Sequence, residues 1–192
     1  MHHLLLPAQA WWDAQRFDQP QWQVAAWHDQ KVRHIHLHVA KALGKVVAML
    51  DEAAPPTLGT ALQERVRNEV LPDVAIYRSQ LINVLPDGWA LPVSMYRNSL
   101  DAGSQTGEPW WHVVFCLSRA SAELASYLEP REHGVSSSTS HLMQAIEHLH
   151  VSATTLATAF GVDLARAHRA RLEALLGASL PTSLIDEADA DP

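Results

Sequence analysis

Residues 31–52 form the longest stretch of unbroken helical periodicity, and they constrain the fold more than any other segment. Their polar stripe, His34, His38, Lys41 and Lys45, recurs at steps of three and four, so we expect it to project from one helix edge and to line any functional site. Beside it runs an apolar stripe with the same spacing, typical of a helix that buries one face. That stripe comprises Val32, Ile35, Val39, Ala42, Val46 and Met49, widened by Leu43, Val47 and Leu50.

Further helices are predicted over residues 60–85, 110–128, 140–160 and 163–176, after a short helix within residues 1–28. Prolines and glycines mark their ends, including Pro130 after the third long helix and Gly161 after the fourth. Pro72 removes a backbone hydrogen bond inside the second, which predicts a kink or break near Leu71. Asp163 is expected to cap the last helix and Gly177 to end it. The connection over 89–109 is predicted to be a long loop, with a turn or short strand pair at 91–96.

Residues 38–52 align with residues 116–130 in the same apolar phase. This alignment pairs Lys41 with Arg119 and Lys45 with Glu123, and it favours an internal repeat, although two amphipathic helices can also align by periodicity alone. We therefore predict an all-α fold: a four-helix bundle from two tandem helical hairpins, plus a C-terminal fifth helix. The hairpins would span residues 29–88 and 109–163 of a single domain over residues 1–180, and residues 181–192 would be an acidic disordered tail.

Charge and cysteine content limit the function classes. The formal net charge is −7 and the pI about 5.9, which argues against binding to a nucleic-acid backbone but leaves room for a small anion held by a local basic cluster. The single cysteine, Cys116, cannot form an internal disulfide, so the composition fits a reducing cytoplasm. No apolar run is long enough to suggest a membrane span. We expect a cytoplasmic protein that does not enter a membrane.

Several short motifs resemble those of the MazG-like all-α nucleoside triphosphate pyrophosphohydrolases. An aromatic residue and a histidine, Trp27 and His28, precede the first long helix. The segment Lys41-Ala42-Leu43-Gly44-Lys45 stands where that family has its EExxE metal motif. Glu69-Val-Leu-Pro-Asp73-Val-Ala-Ile-Tyr77 is similar to the second acidic motif, and Gly161-Val162-Asp163-Leu164, followed by Arg171, is similar to the start of the last helix.

The resemblance implies nucleotide pyrophosphate hydrolysis with Mg²⁺ held by acids of both motifs, in a protein that could be a homodimer. Here lysines replace acids of the first motif, and an ammonium cannot ligate magnesium. Glu69 and Asp73 would be catalytic, and a rebuilt Mg²⁺ site would combine Glu69, Asp73, Glu123 and Glu147. The reading we favour is a relative that binds a nucleotide or another anion without efficient catalysis. The alternative is a structural or partner-binding helical bundle.

Basic residues could form an anion pocket facing Glu69 and Asp73, or they could pair with these acids as structural salt bridges. We predict in particular that Lys41 and Lys45 point toward Glu69 and Asp73 rather than toward solvent, because both lysines border the apolar stripe. The four basic residues proposed to bind substrate are Lys41, Lys45, Arg78 and Arg119.

A second candidate is a transition-metal site. Histidine and cysteine at i, i+4 spacing on two equivalent helices could close a tetrahedral zinc site, with ligands His34, His38, His112 and Cys116. The competing interpretation is that these side chains edge packed faces. Nucleophilic hydrolysis has little support, since no serine elbow or phosphate-binding glycine loop occurs and the serine run at residues 136–140 is typical of a linker.

Overall fold

The computed structural model describes residues 6–17, 27–52, 60–85 and 109–184, and every regular element in these ranges is helical. The predicted all-α class is confirmed for that part of the chain. Of the predicted loop over 89–109, residues 89–108, with the turn or strand pair, lie outside the described residues, as do residues 185–192, and Pro109 begins a helix. The helices are α1 (Leu6–Phe17), α2 (Trp27–Glu52), α3 (Thr60–Arg65), α4 (Leu71–Ile82), α5 (Pro109–Glu132), α6 (Ser140–Phe160) and α7 (Leu164–Leu176). Within the described ranges, none of them combines the length and apolar character that crossing a membrane requires.

Helix α2 buries the apolar stripe expected from its periodicity. All six residues of the stripe are at most 4% exposed. Leu43 and Leu50 are partly buried against the core, as predicted. The prediction was wrong for Val47, which is 46% exposed. At 100° per residue, Val47 lies about 100° beyond Val46 and has already turned toward solvent.

A π-helical turn (Val66–Val70) separates α3 from α4, immediately before the position near Leu71 where a kink or break was predicted. The chain stays helical from residue 60 to residue 82, so the helix changes its geometry there and does not break. The backbone N–H of Leu71 donates to the carbonyl oxygen of Val66, five residues back. Pro72 then occupies the first turn of α4, where a missing N–H costs least. The π turn and Pro72 are therefore adjacent parts of one helical junction. Glu69 lies near the end of the π turn, and Asp73 lies in the first turn of α4.

Helix α5 continues through Pro130 to Glu132, so the predicted end at Pro130 was wrong. The carbonyl of Pro130 accepts hydrogen bonds from the backbone N–H groups of His133 and Val135, and Gly134 has a positive φ of 72°. The helix thus ends in a glycine cap one turn beyond the proline. A proline near a helix end need not terminate it, because its ring conflicts only with the preceding turn.

The boundaries of α6 and α7 match the sequence signals. Gly161 closes α6 with a φ of 59°, and Gly177 closes α7 with a φ of 68°. The side chain of Asp163 accepts a hydrogen bond from the backbone N–H of Arg166, which is the expected N-cap contact.

Helix α2 packs against α4 and α5, and α6 packs against the same two helices. α2 and α5 run antiparallel, because Asp29 contacts Arg131 and His36 contacts Ser121. α7 and α1 both pack against α4. A second small core lies where they meet, and Leu184 packs against it. Its buried residues are Ala8, Trp12, Ile76, Leu172 and Leu180.

Candidate functional site

A pocket of about 230 Å³ lies among α2, α4 and α7, with Trp12 of α1 at one wall. It is smaller than the roughly 300–1,000 Å³ of most sites for drug-sized ligands, so it suits a small ligand or one group of a larger ligand. Basic, acidic and aromatic side chains converge on it. The polar and aromatic lining consists of Trp12, His34, His38, Lys41, Lys45, Asp73, Tyr77, Gln80 and Arg171.

The polar edge of α2 lines this pocket, as the sequence predicted. The rings of His34 and His38 lie 4.4 Å apart between centroids. The Nδ1 atom of His38 is 3.3 Å from the hydroxyl oxygen of Tyr77. Burial is the main cause that lowers the pKa of both histidines below the ordinary value of 6.5. Both rings are therefore mostly neutral at pH 7, and the positive charge of the pocket comes from lysine and arginine.

Lys45 points at both acids of the second motif, as predicted. Its Nζ atom is 3.3 Å from a carboxylate oxygen of Glu69 and 3.8 Å from one of Asp73. Lys41 lines the mouth of the pocket but is exposed, and it forms no ion pair with any residue that the structure describes. The prediction that Lys41 also points at the acids was wrong. Four residues turn the helix by about 400°, so Lys41 lies about 40° farther from the buried stripe than Lys45 and is exposed.

Asp73 forms an ion pair with a second cation, Arg171, which the salt-bridge prediction did not include. The Nε of Arg171 on α7 donates to Asp73 across 2.8 Å, so Asp73 lies between Lys45 and Arg171. The Asp73 side chain is only 12% exposed. The pKa of Tyr77 is raised, first by burial and then by the charge of Asp73, so its hydroxyl stays protonated. The contacts of Asp73 tie α2, α4 and α7 together.

The structure does not bring the other two predicted substrate-binding residues into the pocket. Arg78 is 4% exposed and is absent from the pocket lining. Its charge is the second cause, after burial, that lowers the pKa of His150 and His168 to about 4. Arg119 lies on α5, with its guanidinium 5.9 Å from the ring centroid of Phe115. The anion pocket predicted from Lys41, Lys45, Arg78 and Arg119 thus retains only its two lysines.

The two predicted metal sets are also not assembled. Among the residues that the structure describes, no three His, Cys, Asp or Glu side chains converge as a metal site would require. Glu123 instead contacts Nδ1 of His141 at 2.7 Å, on the side of α5 that meets α6. Glu147 lies on α6, where its charge acts on His148 rather than joining Glu69 and Asp73.

The histidine and cysteine ligands of the predicted zinc site separate into two pairs. His34 and His38 face the pocket, whereas the Sγ of Cys116 lies 3.7 Å from Nε2 of His112 on α5. Burial raises the pKa of the Cys116 thiol to about 11, so the thiolate needed for metal binding or nucleophilic attack is disfavoured.

Sequence reasoning missed a buried polar network beside the pocket. Asp13 on α1 accepts hydrogen bonds from Gln9, Lys31 and Gln80, at 2.8, 2.7 and 2.9 Å. Gln9 in turn accepts a hydrogen bond from Nε2 of the fully buried His168. One signal was present: Lys31 lies three residues before His34, so it extends the polar stripe of α2 by one turn.

Comparison with known proteins adds no identification. No protein-family model matches the chain, and neither the curated proteins nor the solved structures contain a significant match. The site must therefore be interpreted from its own geometry and chemistry.

Proposed function

We propose that the pocket among α2, α4 and α7 binds a small anion, such as a phosphate or diphosphate group of a nucleotide, without efficient hydrolysis. The observation that carries this proposal is the position of Lys45, with its ammonium within 4 Å of Glu69 and Asp73. In this proposal the chain is a relative of the MazG-like pyrophosphohydrolases in which a lysine stands where a divalent cation would. We also propose a cytoplasmic location, from the cysteine content.

The partners of the two acids favour binding over catalysis. Mg²⁺ needs several oxygen ligands in near-octahedral geometry, but Asp73 already pairs with Lys45 and Arg171, and Glu69 pairs with Lys45 and Arg65. A lysine can donate to phosphate oxygens, but it cannot coordinate them or lower the pKa of a bound water as a metal does. The residues present thus do not fit a magnesium site.

The charge balance of the lining supports an anionic ligand. Lys41, Lys45 and Arg171 line the pocket with one acid, Asp73, and Glu69 pairs with Lys45 from beside the lining, so three cations face two acids. Lys41 is the cation at the mouth that no described acid neutralises. The neutral rings of His34 and His38 and the hydroxyl of Tyr77 can donate further hydrogen bonds without adding charge. An anion could therefore enter past Lys41 and share the donors of Lys45 and Arg171.

A purely structural role is the second candidate, and a specific observation favours it. Lys45 and Arg171 already compensate the charge of Asp73 and link three helices, which is sufficient reason for their presence. In that case the pocket would be a by-product of packing, and anions would have no effect on the thermal stability of the protein.

Calorimetric titration with inorganic phosphate, diphosphate and a set of nucleoside triphosphates separates the two candidates. Anion binding predicts saturable heat that weakens in Lys41→Ala but not in Arg119→Ala, a matched loss of one exposed cation outside the pocket. A structural role predicts no saturable heat in any of the three proteins. In parallel, the same nucleotides with Mg²⁺ or Mn²⁺ should release no diphosphate; rapid release would overturn the non-catalytic part of the proposal.

The arrangement of the helices resembles a tandem repeat. We infer that α2 with the α3 to α4 segment, and α5 with α6, form two tandem hairpins in a four-helix bundle, with α7 as the added fifth helix. Contacts of α2 and of α6 with both α4 and α5 support this order. Superposing residues 31–85 on residues 110–160 tests the repeat, which requires the two hairpins to coincide about a pseudo-two-fold axis.

A further inference from the structure

The pocket among α2, α4 and α7 has a charged end and an uncharged end. Helices α2 and α4 run antiparallel along it, because Lys45 contacts Asp73 and His38 contacts Tyr77. Arg171 joins Asp73 at the charged end. The lining toward the other end is aromatic or neutral and polar, and consists of Trp12, His34, His38, Tyr77 and Gln80. A ligand that fills the pocket therefore needs an anionic group at one end and an uncharged body at the other.

The side-chain amide of Gln80 has its orientation fixed by the polar network behind the pocket. Its Nε2 atom donates to Oδ1 of Asp13 across 2.9 Å. A carboxylate only accepts hydrogen bonds, so the amide nitrogen must face Asp13 and the amide oxygen must point elsewhere. Gln9 and Lys31 also donate to Asp13, at 2.8 and 2.7 Å, and hold its carboxylate in place.

The Oε1 atom of Gln80 is thereby left as an open acceptor in the pocket lining. It forms no hydrogen bond with any residue that the structure describes. Gln80 is only 4% exposed, yet Oε1 is not among the fully buried polar atoms that lack a partner, so it is reached from the pocket. A ligand that brings an N–H or O–H group to this oxygen gains a hydrogen bond that an analogue without the donor cannot form.

The charges around the pocket match a ligand with one negative charge. Three cations, Lys41, Lys45 and Arg171, face the acids Asp73 and Glu69, which leaves an excess of one positive charge. That excess lies at Lys41, which forms no ion pair within the described ranges. A carboxylate matches it, whereas a chain of phosphates would bring additional negative charges against the two acids.

The size and shape of the uncharged end suit a single flat ring. The volume of about 230 Å³ is small for a larger ligand, and the aromatic side chains of Trp12 and Tyr77 can pack against a ring. The two contacts between α2 and α4 place Gln80 and Lys41 three to six residues apart along the helix axes. At the rise of an α-helix this separation is about 5 to 9 Å, comparable with one ring that carries a substituent at each end.

We propose that the pocket binds a small aromatic carboxylate whose ring carries an N–H or O–H group opposite the carboxylate. The carboxylate lies at Lys41, and the donor binds Oε1 of Gln80, which selects ligands of this class. This inference rests on the anion binding proposed above and adds the chemical class of the anion and the residue that recognises its body.

A ligand series on the wild-type protein tests the proposal by calorimetric titration. Both 4-hydroxybenzoate and 4-aminobenzoate should bind at least about tenfold more tightly than 4-fluorobenzoate, which has nearly the same shape but no donor. Inorganic phosphate should bind more weakly than 4-hydroxybenzoate, because it leaves the apolar walls uncovered. If phosphate binds saturably and the donor gives no gain among the benzoates, anion binding stands and this inference is overturned. No saturable heat with any of these anions would contradict both.

A substitution at Gln80 tests the assigned acceptor. Gln80→Met keeps a side chain of similar length without the amide oxygen, so the preference for 4-hydroxybenzoate over 4-fluorobenzoate should fall below about twofold. Gln144→Met makes the same change at an exposed position on α6 and should keep the full preference. Circular dichroism checks that the variants remain helical, and the ligand series on the wild type decides the proposal if Gln80→Met does not fold. A folded Gln80→Met variant that keeps the full preference would overturn it.

Discussion

The polar edges of α2 and α5 occupy equivalent positions in the proposed repeat, but they have different surroundings. On α2 the edge faces a pocket, where Lys45 meets Glu69 and Asp73. On α5 the corresponding edge meets another helix directly, and Glu123, the counterpart of Lys45, contacts His141 of α6. The pocket lining includes no residue of α5 or α6.

The helix opposite each edge accounts for the difference. α6 is an uninterrupted helix of 21 residues and packs along α5. The helix opposite α2 is interrupted by the π turn before Pro72, and α7 and Trp12 then contribute the remaining walls of the pocket. A local change of helical geometry can therefore leave a pocket beside a helix edge that would otherwise be packed, and π turns occur frequently at functional sites.

Acidification should produce the largest loss of stability, through histidines around α4. Burial, and then the charge of Arg78, lowers the pKa of His150 and His168 from 6.5 to about 4. Between these pH values the unfolded chain binds protons that the folded chain does not. The contribution of these two histidines to the free energy of unfolding is therefore fully present above about pH 6.5 and decreases as the pH falls toward 4. Urea unfolding across this window should show a shallower pH dependence in His168→Gln. An unchanged slope in that variant would contradict the assignment.

Removal of the Asp13 carboxylate should be the most destabilising single substitution. Asp13→Ala leaves Lys31, Gln9 and Gln80 without their shared acceptor in a site where Asp13 is 5% exposed. We expect a loss of about 3 kcal/mol in the free energy of unfolding. Chemical denaturation should show no more than about 0.5 kcal/mol for Glu64→Ala, an exposed acid on α3. Equal losses in the two variants would show that the network contributes nothing specific.

The two edges should respond unequally to loss of one acid. Asp73→Ala leaves both Lys45 and Arg171 without their partner and should cost about 2 kcal/mol. Glu123→Ala removes a single contact, with His141, and should cost about 1 kcal/mol. Thermal unfolding of both variants at neutral pH measures the difference, and a larger loss for Glu123→Ala would reverse the comparison.

Loss of one cation from each edge should have the smallest effects. Lys45→Met leaves Glu69 and Asp73 with fewer partners at a half-buried site and should cost about 1 kcal/mol. Arg119→Met should change stability by less than about 0.5 kcal/mol, because Arg119 is exposed and its guanidinium lies over the ring of Phe115. A Lys45→Met variant as stable as the wild type would show that the ion pairs in the pocket are not stabilising.

Local signals predicted the helices well, because periodicity and capping act within a few residues. The apolar stripe of α2, the Asp163 cap and the glycine ends of α6 and α7 are of this kind. The end of α5 was misplaced because its glycine cap lies one turn beyond Pro130. Proline alone does not determine where a helix ends.

The site was only partly predictable, since it depends on how helices distant in sequence meet. The contact of Lys45 with Glu69 and Asp73 followed from facing helix borders. The contact of Arg171 with Asp73 spans 98 residues, and that of His168 with Gln9 spans 159. Arg78 and Arg119 both carry a guanidinium group, which is suited to binding phosphate, but neither side chain lines the pocket. Residue type and spacing could not reveal that.

The most direct test of the central claim, that Lys45 stands in the place of a divalent cation, is the melting temperature of Lys45→Glu with and without Mg²⁺. This substitution adds a third carboxylate beside Glu69 and Asp73. Without the metal the variant should unfold below the wild type, and Mg²⁺ should raise its melting temperature while leaving the wild type and Arg119→Glu unchanged. A Lys45→Glu variant that is destabilised and gains nothing from Mg²⁺ would contradict the account.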